Sequence, residues 1–203
     1  MSVSIQDPKK FYAPLARFYE RENLPPLEFQ SMPGEKLPDP QRHLLVHNGD
    51  MTTRLERFHD SPINLRPLFI LHQPDSYFRE VLLISQNTGM PVEYGAIEIF
   101  LDVFPEALRN EVLHGTKPLG GLLISHDFGF NSDPRAYFQV KADKHISEQL
   151  ELAGDSDILF GRANQLSTPD GDAIAQIVEI LPPHGESPSR ENLSGSLTSK
   201  ETK

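Results

Sequence analysis

From Ser61 to Phe104 the apolar residues fall into three runs, and "HQPDS" and "QNTGMP" separate them. Each run is rich in β-branched and aromatic residues, which pack well on a pleated surface, so three successive strands of an antiparallel meander are predicted. Before them the spacing is helical. Phe11, Leu15, Phe18 and Tyr19 recur at three- and four-residue intervals in "PKKFYAPLARFYERE", and Pro14 falls where a first turn tolerates it. "NLPPLEFQSMPGEKLPDP" carries five prolines and reads as an irregular connector. Helix is expected from Gln41 to His59 with a break at "HNGD", where Asp50 can cap the segment that follows.

After the meander, "PEALRNEVLHG" sets Leu108, Val112 and Leu113 on one helical face, with Gly115 suited to the C-terminal cap. "KPLGGLLISHD" reads as a loop entering an apolar segment, "RAYFQVKA" as a strand and "DKHISEQLELAG" as a short helix. "ILFGRANQLSTPDGDAIAQIVEILPP" has two apolar arms around "TPDGD", the pattern of a hairpin. Together these elements predict an α+β fold, an antiparallel sheet with interspersed helices. The expected organisation is an N-terminal helix and proline-rich connector over 1–40, one domain over 41–183, and a disordered tail over 184–203, where large apolar residues almost vanish.

Composition narrows the chemistry. At 203 residues the chain can bury a core of its own. A formal charge of −10 argues against a general nucleic-acid binder, although a local basic pocket for a small anion is compatible with it. With no cysteine there is no disulfide or thiolate chemistry. Neither a signal-like apolar run nor a membrane-length stretch is present, so a cytoplasmic protein with no membrane partner is expected. "HNGDMTTRLERFH" holds His47 and His59 too far apart to share a helical turn, and no metal is expected. Phosphate-loop, dinucleotide and nucleophile-elbow motifs are absent, which leaves no cofactor implied.

Two charges in apolar strands carry more information. Arg79 in "YFREVLLIS" and Glu179 in "AIAQIVEILPP" each face solvent or an interior cavity, and alternation alone does not choose. Facing inward, the arginine fork suits a carboxylate, and a desolvated glutamate suits proton transfer or accepting from a ligand hydroxyl. In "GTKPLGGLLIS" the glycines allow close backbone approach to an anion, or the stretch is a plain turn.

Taken in order, "LLVHNGDMTTRLERFH", "YFREVLL", "LHGTKPLGGLL" and "LFGRANQL" with "VEILPP" resemble the chorismate lyase (chorismate pyruvate-lyase) family over about residues 41–183. The resemblance implies an antiparallel sheet whose helical flaps enclose an internal ligand cavity. It also implies cofactor-independent elimination of pyruvate from chorismate, or a close cyclic enolpyruvyl acid, to give 4-hydroxybenzoate. On this resemblance Arg79 binds the ring carboxylate with the backbone amides of Met51 and Leu119. Glu179 lies at the opposite end, near the ring oxygen, and Arg79 and Glu179 are the catalytic pair. Met51 covers the ring, and Arg54 and Arg57 are surface or flap-anchoring charges.

One departure stands out. Lyases of this family commonly carry a further arginine on the strand after Arg79, whereas "PVEYGAIEIFLDVFP" has Glu93 and Glu98 instead. Those acids are compatible with a dianion only if both face outward, and Arg135 is the candidate replacement for the missing charge. The alternatives are a non-catalytic module of the same superfamily that binds a small aromatic acid, and a specialised-metabolism enzyme using the cavity for another acid. Oligomeric state is not legible.

Overall fold

The computed structural model describes residues 11–152 and 158–183. The tail expected to be disordered, 184–203, lies outside these residues. Seven antiparallel strands form one sheet: β1 (Phe29–Met32), β2 (Ile63–His72), β3 (Ser76–Ser85), β4 (Pro91–Phe100), β5 (Asn131–Lys141), β6 (Ile158–Ser167) and β7 (Ala173–Leu181). Their order is β1-β5-β6-β7-β4-β3-β2. The meander and the terminal hairpin therefore form as expected, and β7 joins them by pairing with β4. β3 and β4 are buried almost throughout because helices cover both faces there, which explains why these strands read as continuous apolar runs.

On one face lie α1 (Ala13–Arg21) and α6 (Lys144–Gln149). Leu15, Phe18 and Tyr19 of α1 and Ile146 of α6 pack on Phe78, Leu82, Tyr94, Phe138, Val178 and Ile180. Each large side chain sunk here contributes about 1.5–3 kcal/mol, so α1 is an integral part of the core. Arg17 of α1 also pairs with Glu98 of β4. The proline-rich connector is less irregular than expected. Phe29 to Met32 add an edge strand to β5, and Phe29 stacks on Tyr12 at 4.1 Å between ring centres.

Across the sheet are α2 (Gln41–Leu45), α3 (Met51–His59), α4 (Glu106–His114) and α5 (Leu119–Ser125). Asp50 caps α3 as predicted, its carboxylate accepting from the Thr53 amide at 2.8 Å. Gly115 ends α4 with φ of 69°, a left-handed conformation that other residues adopt only with strain. α5 differs from the expected loop. Its two glycines weaken helix propensity, but Leu119, Leu122 and Leu123 bury one side of it against Ile97, Ile99 and Ala175. Packing overrides propensity here. Gly120 is also sterically required, because a Cβ there would come within 1.9 Å of Asp50 Oδ1. The α4/α5 cluster and the α2/α3 cluster remain separate, and between them the sheet floor stays open as a cavity.

Candidate functional site

Alternation along the strands decides what faces this cavity. β3 contributes Arg79, Val81 and Leu83, and β4 contributes Glu93, Gly95 and Ile97. β7 adds Ile177 and Glu179, and β6 adds Arg162, Asn164 and Leu166. The cover consists of Gly49–Thr52 at the start of α3 and Pro118–Gly120 at the start of α5. All four residues anticipated for the site, Met51, Arg79, Leu119 and Glu179, thus line one hollow, each at most 5% exposed. Asp50 Oδ1 sits against Gly120, so the two halves of the cover touch. The hollow measures about 70 Å³. A cavity that admits benzene is about 150 Å³, so an aromatic ring enters only when the cover shifts.

Arg79 is 2% exposed, and its Nε and Nη1 have no hydrogen-bond partner. The ring of Tyr77 lies 5.9 Å from its Cζ, a weak cation–π contact. Burial pulls the guanidinium below its ordinary pKa, opposed by Tyr77, but an arginine keeps its charge. Removing an ion from water without a partner is expensive by several kcal/mol. A buried cation with unused donors at a cavity wall is therefore a strong marker of an anion site.

Glu179 does not stand free as expected. Arg162, directly opposite on β6, donates from Nε to Glu179 Oε2 and from Nη2 to Oε1, the latter at 3.4 Å. Arg162 Nη1 also donates to the carbonyls of Leu45 at 3.1 Å and His47 at 2.9 Å. Leu45 ends α2 and its carbonyl also accepts from the His47 amide at 3.1 Å, while His47 lies in the loop that follows. One arginine thus ties the glutamate to the loop that carries the cover. Sequence reasoning missed Arg162, although a signal existed. It lies eight residues before Asp170, and Glu179 lies eight after Gly171, so a hairpin turning at "DG" places them opposite each other.

The two acids of β4 do not both face outward, the condition under which they would be compatible with a dianion. Glu98 points to the α1 face and pairs with Arg17, whereas Glu93 is 4% exposed inside the cavity with Oε2 unpartnered. Its Oε1 lies 3.4 Å from where a Cβ of Gly95 would be, so the carboxyl folds over that glycine toward Glu179. Burial raises its pKa well above the ordinary 4.5; Glu179 adds to the rise, Arg162 opposes it and Asp50 adds a little more. Desolvation and a like-charged neighbour thus both work against its ionised form while the cavity holds no cation for it.

His47, in the stretch "HNGDMTTRLERFH", accepts from the Gly49 amide at 3.0 Å. Burial, helped by Arg162 and Arg54, lowers its pKa to about 4, so it remains neutral and shapes the loop. Arg135 does not reach the cavity. It pairs with Asp133 at 3.1 Å and donates to Gln165 on an exposed part of β5 and β6. Arg54 and Arg57 of α3 do not line the cavity, and Arg57 is exposed. Among the described residues no helix is long and apolar enough to cross a membrane.

No family model matches the chain, and no curated protein is similar to it. Solved structures are similar in fold. PhnF from Mycobacterium smegmatis aligns at 12% identity over 67% of this chain and 64% of that chain, with a TM-score of 0.52. The ligand-binding domain of a proposed GntR-family transcriptional regulator from Bordetella bronchiseptica aligns at 18% identity over 59% and 85%, with a TM-score of 0.47. A GntR-family transcriptional regulator from Bacillus cereus aligns at 13% identity over 60% and 92%, with a TM-score of 0.45. The antiparallel sheet, its flanking helices and the cavity between them are the α+β, chorismate lyase-like arrangement that the motifs imply, and the chain shares this fold with PhnF.

Proposed function

We propose that this protein binds a small organic acid inside the cavity and holds its carboxylate on Arg79, without transforming it. One observation carries the reading: a fully buried guanidinium with two unused donor nitrogens at the wall of an internal hollow. Its planar fork matches a carboxylate, and the energy lost on burying it alone is recovered only when an anion arrives. Calorimetric titration with short aliphatic and aromatic monocarboxylates tests this. At least one should bind saturably, and Arg79→Met should weaken it by about 2–5 kcal/mol. Affinity that survives in Arg79→Met would remove Arg79 from the reading.

The second reading is elimination of pyruvate from chorismate, with Arg79 and Glu179 as the catalytic residues. In its favour is the meeting of Arg79, Glu179, Met51 and Leu119 on one cavity. Against it stands the clamp of Arg162 on Glu179, which ties up the carboxylate meant to manage a proton. Pyruvate released from chorismate by the purified protein, and lost in Glu179→Gln, would establish the lyase. Saturable binding of 4-hydroxybenzoate with chorismate left intact would establish the receptor.

A further inference from the structure

Among the described residues the cavity is lined by two buried charged side chains with unpartnered atoms, on neighbouring strands. Arg79 Nε and Nη1 are unsatisfied on β3, and Glu93 Oε2 is unsatisfied on β4. Strand register explains why they do not neutralise each other. Glu93 pairs across with Leu83, four residues along β3 from Arg79. Four residues of rise and one inter-strand step separate their Cα atoms by about 14 Å. The Glu93 carboxyl folds over Gly95, level with Val81 and Glu179 and two residues short of Ile97, the position opposite Arg79; its Oε2 and the Arg79 Nε and Nη1 still have no hydrogen-bond partner. In this part of the cavity Glu93, Glu179 and Asp50 face a single cation, Arg162. Glu179 already takes two of that arginine's nitrogens, and the carbonyls of Leu45 and His47 take the third. The Asp50 carboxylate is used as the α3 cap. Glu93 is therefore the carboxyl left over, in surroundings that already carry excess negative charge.

From this we infer that the ligand is an ω-amino carboxylic acid, its carboxylate on Arg79 and its ammonium on Glu93. The inference rests on the proposed role of Arg79 and adds the opposite end of the ligand. A zwitterion satisfies both orphaned groups and brings no net charge into the hollow. A simple monocarboxylate satisfies only Arg79. A dicarboxylate places a second anion beside Glu179 and Asp50, where Arg162 is already committed, and like charges brought together out of water repel strongly. A chain of this length, like a ring, enters only when the cover shifts. Glu93 is thus the specificity-determining residue of the cavity.

The test is calorimetric titration of the full chain with three acids of equal backbone length: 5-aminopentanoate, pentanoate and glutarate. Wild type should bind 5-aminopentanoate at least about tenfold more tightly than pentanoate, as expected for a charge-assisted hydrogen bond in a buried site. Glutarate should bind more weakly than pentanoate. In Glu93→Gln the ratio of the first two affinities should collapse toward one. Equal affinities in wild type, tight glutarate binding, or a ratio unchanged in Glu93→Gln each overturn the inference. If pentanoate binds and depends on Arg79 while the amine confers no advantage, only the role of Glu93 fails. If none of the three acids binds, the carboxylate role of Arg79 fails and the inference falls with it. Should Glu93→Gln not fold, the wild-type ratios still decide.

Discussion

Replacing Glu93 by glutamine should stabilise the protein, and the gain should grow with pH. In the unfolded chain Glu93 ionises around its ordinary 4.5, but in the fold burial and Glu179 raise that value. A carboxyl whose folded pKa is raised contributes most to stability below the unfolded pKa. That contribution is lost as pH climbs toward the folded value. Each pH unit in this window is worth about 1.4 kcal/mol. As pH rises above the ordinary 4.5 toward the raised folded value, the Glu93→Gln variant should therefore gain steadily on wild type. The amide has nearly the same shape, keeps an acceptor over Gly95 and adds a donor beside Glu179, so little packing is disturbed. Urea unfolding of both proteins at several pH values in the window measures the difference, and titrations common to both cancel. A gap that does not change with pH would mean that Glu93 is ionised and compensated in the fold. A variant that is less stable throughout would refute the charge reasoning altogether.

Two further outcomes follow from the same charges. Arg162→Met removes one partner of a buried pair and strips donors from the Leu45 and His47 carbonyls; it should cost about 3–5 kcal/mol, and adding Glu179→Leu should recover part of that loss in urea melts. His145 of α6 bonds Glu80 at 2.8 Å, and this bond raises its pKa while burial opposes the rise. Its contribution is therefore present below the ordinary 6.5 and lost as pH rises through the folded value, so the stability difference between wild type and His145→Gln should shrink from pH 6 to pH 8.

Much of the fold was legible because it depends on local rules. β-Branched and aromatic runs bounded by turn residues predicted the meander and hairpin, the "DG" turn set the pairing of β6 with β7, and Asp50 and Gly115 marked helix ends. The same rules bear on the acids of β4: Glu93 and Glu98 are five residues apart, so strand alternation places them on opposite faces. The short helix α5 was hidden because glycine propensity argues against it, and only the leucines it buries against β4 and β7 make it form. The edge strand β1 was hidden because a strand of four residues exists only when a partner supplies its hydrogen bonds, and that partner, β5, lies about a hundred residues away.

For the site, the amino-acid order determined which charges sit in apolar strands and which share a face. Tertiary structure decided the rest: that this face encloses a hollow, that Arg162 claims Glu179, and that Arg79 and Glu93 keep unpartnered atoms in its wall. The physical reason is range. Alternation and capping act over a few residues, whereas the partner that neutralises a buried charge, or fails to, is chosen by which distant strands become neighbours in the sheet.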